Sequence, residues 1–302
     1  MTDLRLAAGA SLAEAAAADV LALAARAADA DGVDAISEAF RLALASPRAE
    51  VTHSVAYAGE SRPVGYAALD AAGAAELVVD PASRRQGVGR ALLRALLDGG
   101  ATGVWAHGDL PSAQGLAADA GLVSTRELHV MARPVVEGDD TEPVLPEGFS
   151  ARTFEVGRDE QAWLEINGLA FASHPEQGSI TLEDLQERMA QDWFDPSGFF
   201  LVEDTTTTDD SGQHPLAAFH WTKREPGSDE GEVYVVGVHP AYQGRGLAGP
   251  LTGLGTSFLA RQGVSTIDLY VDGDNTRALA TYRHAGFEDA AIHVVYGRPP
   301  AP

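Results

Sequence analysis

One segment of this chain occurs twice, and that repetition limits the possible folds more than any other feature. Residues 77–97, LVVDPASRRQGVGRALLRALL, lie over residues 236–256, VGVHPAYQGRGLAGPLTGLGT, without a gap. Val79 matches Val238, Pro81 matches Pro240, Arg84 matches Gln243, Gly87 matches Gly246, Gly89 matches Ala248 and Leu92 matches Leu251. Strand, proline turn, polar residue, small residues and apolar helix recur in one order, which marks an internal duplication of a domain. A chain of 302 residues has room for two such cores. Residues 133–151 are rich in Pro, Gly and acids and lack periodicity, so the connector falls there. The expected division is 1–138 for the first domain, 139–149 for the linker and 150–302 for the second domain.

Within the second copy, GRGLAG (244–249) formally matches the dinucleotide fingerprint G-x-G-x-x-G. A helix start without bulky side chains offers unpaired N–H groups beside the positive end of the helix dipole, which is a phosphate site. Glycine lets the anion come close to the backbone. A dinucleotide fold would turn on its first glycine directly after the strand, whereas His239 to Gln243 intervene here after Val238. Asp268 stands roughly where a ribose-binding acid belongs, yet the chain ends soon afterwards. The third glycine is not repeated in the first copy, and no Lys-Ser/Thr follows as a P-loop requires. Dinucleotide binding stays a minor alternative to another phosphate-bearing ligand.

The formal charge of −23 argues against nucleic acid as a partner, because phosphate backbones need clustered cations. With no cysteine, disulfides, thiolate metal sites and a cysteine nucleophile are excluded, and no metal is expected. No apolar run reaches membrane-spanning length, so no membrane association is expected. The first 32 residues, alanine-rich with acids among them, read as an amphipathic helix rather than a signal peptide. A cytoplasmic, monomeric protein is the expectation. Usage of Ala, Gly, Asp and Arg with few Lys suits a GC-rich genome.

Only the second half carries candidate proton-transfer groups. EDTTTTDDSGQHP (203–215) reads as a hairpin loop and REPGSDEGE (224–232) as a turn before the strand EVYVVGV. Glu232 opens that strand, and a period of two sends Glu232, Tyr234 and Val236 to one face. DNTRALATYRHAGF (274–287) reads as a helix capped by Asp274 or Asn275 and stopped by Gly286, with Asn275 and Tyr282 on one face. The first half has LPSAQGLAADAGL (110–122) instead. Ala117 then stands for Tyr282, Leu110 for Asn275 and Gly73 for Glu232.

The strand–turn–Arg/Gln-x-x-Gly-x-Gly/Ala–helix unit resembles the acetyl-CoA loop of the GCN5-related N-acetyltransferase (GNAT) superfamily. The resemblance implies an α/β fold (α+β mixed sheet) of two tandem GNAT domains, with acetyl-CoA as cosubstrate. It places the pantetheine along Val236, Gly237 and Val238. The pyrophosphate falls to Gln243, Gly244, Arg245, Gly246, Leu247, Ala248 and Gly249, and further cofactor contacts to Asn275, Thr276, Arg277, Ala278, Leu279 and Ala280. Leu77, Val78, Val79, Arg84, Arg85, Gln86, Gly87, Val88 and Gly89 are the counterparts in the first copy, expected to bind acetyl-CoA without catalysis. The strings HPEQG (174–178), FHWTK (219–223), GEVYVVGVHP (231–240), LYVDGDN (269–275) and TY (281–282) are similar to a tandem branch of actinobacteria. That branch acetylates the cysteinyl amine of cysteinyl-glucosaminyl-inositol, a small thiol-sugar substrate, to form mycothiol. Carried over, Glu232 is the base and Tyr282 the acid, while Glu38, Glu176, Lys223, Glu232 and Tyr270 contact the substrate. His239 stands where an acid is common in the family, and Gln243-Gly244-Arg245 varies its loop. Acetylation of another small amine and a non-catalytic acyl-CoA sensor are the alternatives.

Overall fold

A computed structural model of the chain describes residues 4–45, 50–59, 62–172, 174–208 and 212–299, without the side chains of Pro175 and Glu176. In chain order come β1 (Leu4–Gly9), α1 (Glu14–Asp31), α2 (Glu38–Ala45), β2 (Val51–Ala58), β3 (Pro63–Asp70), β4 (Ala74–Val79), α3 (Val88–Asp98), β5 (Gly103–Ala106) and α4 (Pro111–Asp119). Then follow β6 (Val123–Pro134), β7 (Phe149–Thr153), α5 (Glu160–Ala170), α6 (Pro175–Gly178), α7 (Leu182–Met189), β8 (Phe199–Asp204) and β9 (Leu216–Lys223). The chain closes with β10 (Glu230–Val238), α8 (Ala248–Arg261), β11 (Thr266–Asp272), α9 (Thr276–His284) and β12 (Glu288–Gly297). The described residues fall into two compact units. Unit 1 takes Met1–Leu128, Asp272–Asp274 and Ala291–Pro302; unit 2 takes His129–Val271 and Asn275–Ala290.

In unit 1, β1 to β4 pair antiparallel in sequence order, β4 pairs parallel with β5, and Val294–Gly297 of β12 pairs antiparallel with β5. Alternation of side chains sends Val55, Tyr66, Ala68 and Val78 onto Val20, Leu23 and Ala27 of α1. The other face packs Ala67, Ala75 and Val104 on Val88, Leu92 and Leu96 of α3. The expected helix across residues 1–32 is corrected: Leu4–Gly9 is a strand, and the helix begins at Glu14. Pairing with β2 outweighs alanine's helix propensity there, with the Arg5 guanidinium 4.8 Å from the Tyr57 ring centroid.

Unit 2 repeats the plan. β7, β8, β9 and β10 are antiparallel neighbours, and β10 pairs parallel with β11. Trp163 of α5 fills one face against Phe199, Phe219 and Trp221, its ring 5.6 Å from both Phe199 and Trp221. Leu251 and Leu254 of α8 pack with Val202 and Ala218, and Leu259 with Ile267 and Leu269. The expected hairpin loop does connect β8 to β9; its residues 209–211 lie outside the described residues.

Candidate active site

Each unit opens its sheet at one place. The β10–β11 ladder covers only Glu230–Val233 opposite Thr266–Leu269, and β10 then runs on to Val238 without that partner. In unit 1 the β4–β5 ladder likewise covers Ala74–Glu76 opposite Gly103–Trp105 while β4 continues to Val79. Beyond each opening comes the duplicated turn. Pro81–Ser83 and Pro240–Tyr242 are matching 3-10 turns. Positive φ then falls at matched positions: Arg85 (61°) with Gly244 (79°), and Gly87 (89°) with Gly246 (80°). This left-handed backbone is easy for glycine and uncommon for arginine. It leads directly into α3 and α8, and a helix start of this kind can hold a phosphate.

The unusual His239 keeps the turn's geometry. Asp80 Oδ1 accepts the Ala82 N–H at 3.0 Å, and His239 Nδ1 accepts the Ala241 N–H at the same distance. An imidazole with its proton on Nε2 thus does for this backbone what the carboxylate does in unit 1.

Side chains in the two cradles serve different ends. Gln243, Gly244, Arg245, Gly246, Ala248 and Gly249 are exposed, whereas Leu247 is core; any ligand meets Leu247 through its backbone. A Cβ at Gly244 or Gly249 would meet open space, so the cradle has room for a bulky anion. Arg245 lies over the Tyr242 ring, 4.6 Å from its centroid. In unit 1, Arg84 is tied to Asp31 by two 2.7 Å bonds, which raise its proton affinity further. Gln86 donates to the Ala82 carbonyl and Val88 is core. Leu77, Val78, Val79, Arg84, Arg85, Gly87 and Gly89 all line a cavity of about 640 Å³.

At the closed end of the unit 2 opening, Glu232 stands opposite Lys223 on β9 and Asp268 on β11. Burial, and then the charge of Glu230, push the Asp268 carboxyl up to about 6; Lys223 and its own amide act the other way. Lys223 Nζ is 5.1 Å from the Trp193 ring centroid and 5.6 Å from that of Tyr234, and 3.3 Å from Glu225 Oε1. Tyr234 Oη accepts from Arg188 Nε at 3.0 Å. Tyr270 of β11 is 47% exposed.

The shared face expected for Glu232, Tyr234 and Val236 is corrected. A β-bulge lies between Val233 and Val235. Tyr234 and Val235 both pack toward Trp163, while Val236 packs toward α8. Gly237 returns to the α5 face, where a Cβ would come within 2.7 Å of the Phe219 ring. The bulge therefore keeps Glu232 and Tyr234 together and turns Val236 away.

The Asn275 side chain caps α9 by accepting the Ala278 N–H at 3.1 Å, and Gly286 follows the helix at φ 87°. Thr276, Arg277 and Ala280 face outward, Ala278 is half-buried, and Leu279 is core. Tyr282 is buried with its ring edge-on to Phe287, and burial pushes its hydroxyl up to about 12. Glu38 begins α2 in unit 1; the preceding Ser37 N–H donates to Glu76 Oε2 at 2.8 Å. Glu176 falls in α6, its side chain outside the described residues. Trp193, Arg188 and Asp268 are the additions that sequence reasoning did not place here. An aspartate interrupting TIDLYV was the available signal for the last.

Among the described residues no His/Asp/Glu group fits a metal ion, and no helix is long and apolar enough to cross a membrane. Residues 163–287 match the acetyltransferase (GNAT) family model, and residues 50–118 match an acetyltransferase (GNAT) domain. A mycothiol acetyltransferase of Kytococcus sedentarius is 48% identical over 280 residues, covering 92% of each chain. One from Streptomyces bingchenggensis is 48% identical over 289 residues, covering 92% of this chain and 91% of its own. Among solved structures, a tandem GNAT protein from the clavulanic acid biosynthesis pathway superposes with TM-score 0.73 at 20% identity, covering 99% of this chain and 100% of that one. A GCN5-related N-acetyltransferase from Sphaerobacter thermophilus gives 0.67 at 24% identity, covering 98% and 97%.

Proposed function

Because the chain belongs to the GNAT family, among its mycothiol acetyltransferases, and is an acetyl-CoA-dependent N-acetyltransferase, we propose that unit 2 acetylates the cysteinyl amine of cysteinyl-glucosaminyl-inositol. The observation that carries this reading is the opening of β10 from β11, with Glu232 at its closed end and the positive-φ turn at Gly244 and Gly246 beyond it. Bound there, acetyl-CoA supplies an acetyl thioester. The Gln243–Gly249 amides hold its pyrophosphate, and the β10 edge at Val236–Val238 aligns the pantetheine and polarises the acyl carbonyl.

An α-amino group has an ordinary pKa of about 7.7–8.0, so the acceptor needs only modest help to become a nucleophile. Glu232 takes its proton, directly or through one water. Tyr282, held protonated by burial, gives a proton to the leaving sulfur. Lys223 and Tyr270 share a face with Glu232 and contact the acceptor's hydroxyls, with Glu176 as a further contact. The first domain (1–138) holds acetyl-CoA without turning it over, since Gly73 and Ala117 replace the proton-transfer groups.

The test is CoA release with cysteinyl-glucosaminyl-inositol beside glucosaminyl-inositol lacking cysteine. Release is expected with the first acceptor only. Background release with both contradicts the acceptor, and equal release contradicts attack by the cysteinyl amine.

A further inference from the structure

Glu232 does not stand alone on its face of unit 2. The β9–β10 register puts Lys223 directly beside it, and the β10–β11 register puts Asp268 directly beside it on the other flank. Partners in register project to the same face of a sheet. The row across three strands is therefore cation, candidate base, acid. Ile267, Leu269 and Val271 pack on the opposite face, which fixes Asp268 and Tyr270 on the Glu232 face. On its other side Asp268 meets β6, the next strand of the sheet. The Val135 N–H bonds the Ser265 carbonyl there, and Met131 packs with Ile267 and Leu269. Among the described residues, the charged groups acting on Asp268 are Glu230 on β10 and Lys223 on β9, with Glu232 beside it in register.

We propose that Asp268 is a positioning residue for the acetyl transfer, one that offsets Lys223 and so sustains the proton affinity of Glu232. This rests on the reading of Glu232 as the base. A cation beside a carboxylate makes it a weaker base, and a second carboxylate makes it a stronger one. With both neighbours charged, Glu232 keeps the basicity it needs near neutral pH. Asp268 has its own proton affinity raised by burial and by Glu230, so it is charged at pH 7 and takes up a proton as the pH falls through about 6. Glu232 then faces Lys223 without the opposing charge and becomes a poorer proton acceptor. Activity falls on the acid side for a reason beyond titration of the acceptor amine.

The experiment is the pH profile of kcat/KM for the acceptor, from pH 5 to 9, in wild type, D268N, D268E and E232Q, with the KM for acetyl-CoA measured alongside. The amine's own titration is common to all and cancels in the ratio of profiles. D268N is expected to lose about three- to tenfold at pH 8 and to move the acid limb about one unit lower, with the acetyl-CoA KM unchanged. D268E, which keeps the charge, is expected to retain the wild-type limb and covers the case in which D268N folds poorly. An unshifted limb in D268N, or a D268E limb shifted like that expected of D268N, overturns the proposal. Wild-type turnover in E232Q removes the base and this inference with it; a dead E232Q beside an unshifted D268N removes the inference alone.

Discussion

The two copies of the duplicated turn keep the same backbone and use different atoms to keep it. In unit 1 the anchor acceptor is Asp80, also bonded by Arg26 at 2.7 Å, and the positive-φ residue is Arg85. In unit 2 the acceptor is His239 and the positive-φ residue is Gly244. What stays constant is the backbone conformation of the turn and the helix start after it, which is the part a phosphate would use, since backbone amides tolerate exchange of side chains. The closed ends of the two openings differ in kind. Unit 2 sets Glu232 between Lys223 and Asp268. Unit 1 has Ala74 and Ala75 leading to Glu76, which is 2% exposed and engaged by the Ser37 amide and by His107 Nε2 at 3.2 Å. On the function proposed above, holding a nucleotide and moving a proton are separable properties of one fold, divided between the two copies.

The largest break in this comparison is expected from Glu232. Glu232→Gln should lower kcat by about 100- to 1,000-fold and Tyr282→Phe by about 10- to 100-fold, both with little change in acetyl-CoA affinity. The Ala117→Tyr change in unit 1 should create no activity in the E232Q background. Steady-state kinetics with equilibrium binding of acetyl-CoA checks all three, and wild-type kcat in E232Q would remove the division between units.

A smaller effect, shared by the units, comes from one histidine in each. Burial holds His220 and His293 down to about 4, below the ordinary 6.5, with the neighbouring His107 adding to the effect at His293. Each stays neutral when folded and is protonated more readily when unfolded. Its contribution is complete above pH 6.5 and is lost as the pH falls from 6.5 toward 4. For His220 the loss by pH 4.5 is about 2 kcal/mol. Urea denaturation at pH 7.5 and 4.5 should show H220Q and H293Q each with a flatter pH dependence than wild type; an unchanged slope in both would mean that neither ring is buried neutral.

The smallest effect is expected at the matched positive-φ site. Gly244→Ala should cost about 1 kcal/mol, because the new Cβ strains a left-handed residue. Arg85→Gly should change stability by only a few tenths of a kcal/mol, since relief of strain is offset by the extra freedom of the unfolded chain. Thermal unfolding distinguishes the two, and equal effects would deny that the turns share a conformation.

The features legible in the sequence were those written in local chemistry. The strand–turn–helix pattern within each repeat, the Asn275 cap and the Gly286 stop each depend on residues a few positions apart. What escaped depends on pairing between distant strands. The helix expected over residues 1–32 gave way to β1 because β2 supplies a partner that local propensity does not contain. The bulge in β10 moved Val236 off the Glu232 face, since a period of two assumes an uninterrupted ladder. The bond between Arg84, a cofactor contact by position, and Asp31 of α1 is likewise a tertiary feature. Asp268 resembled a ribose ligand by spacing and became a neighbour of Glu232 once β10 and β11 were in register.

The separation of holding from turning over is tested most directly by matched loop variants, Gly87→Val and Gly246→Val, read for both turnover and acetyl-CoA equivalents bound. Both place a β-branched residue at a left-handed position and should distort one cradle each. Gly246→Val is expected to lose tenfold or more in kcat/KM for acetyl-CoA while the unit 1 equivalent stays bound. Gly87→Val is expected to keep turnover within about twofold while that equivalent is lost. A folded Gly87→Val protein without turnover, or a Gly246→Val protein with wild-type turnover, would contradict the account.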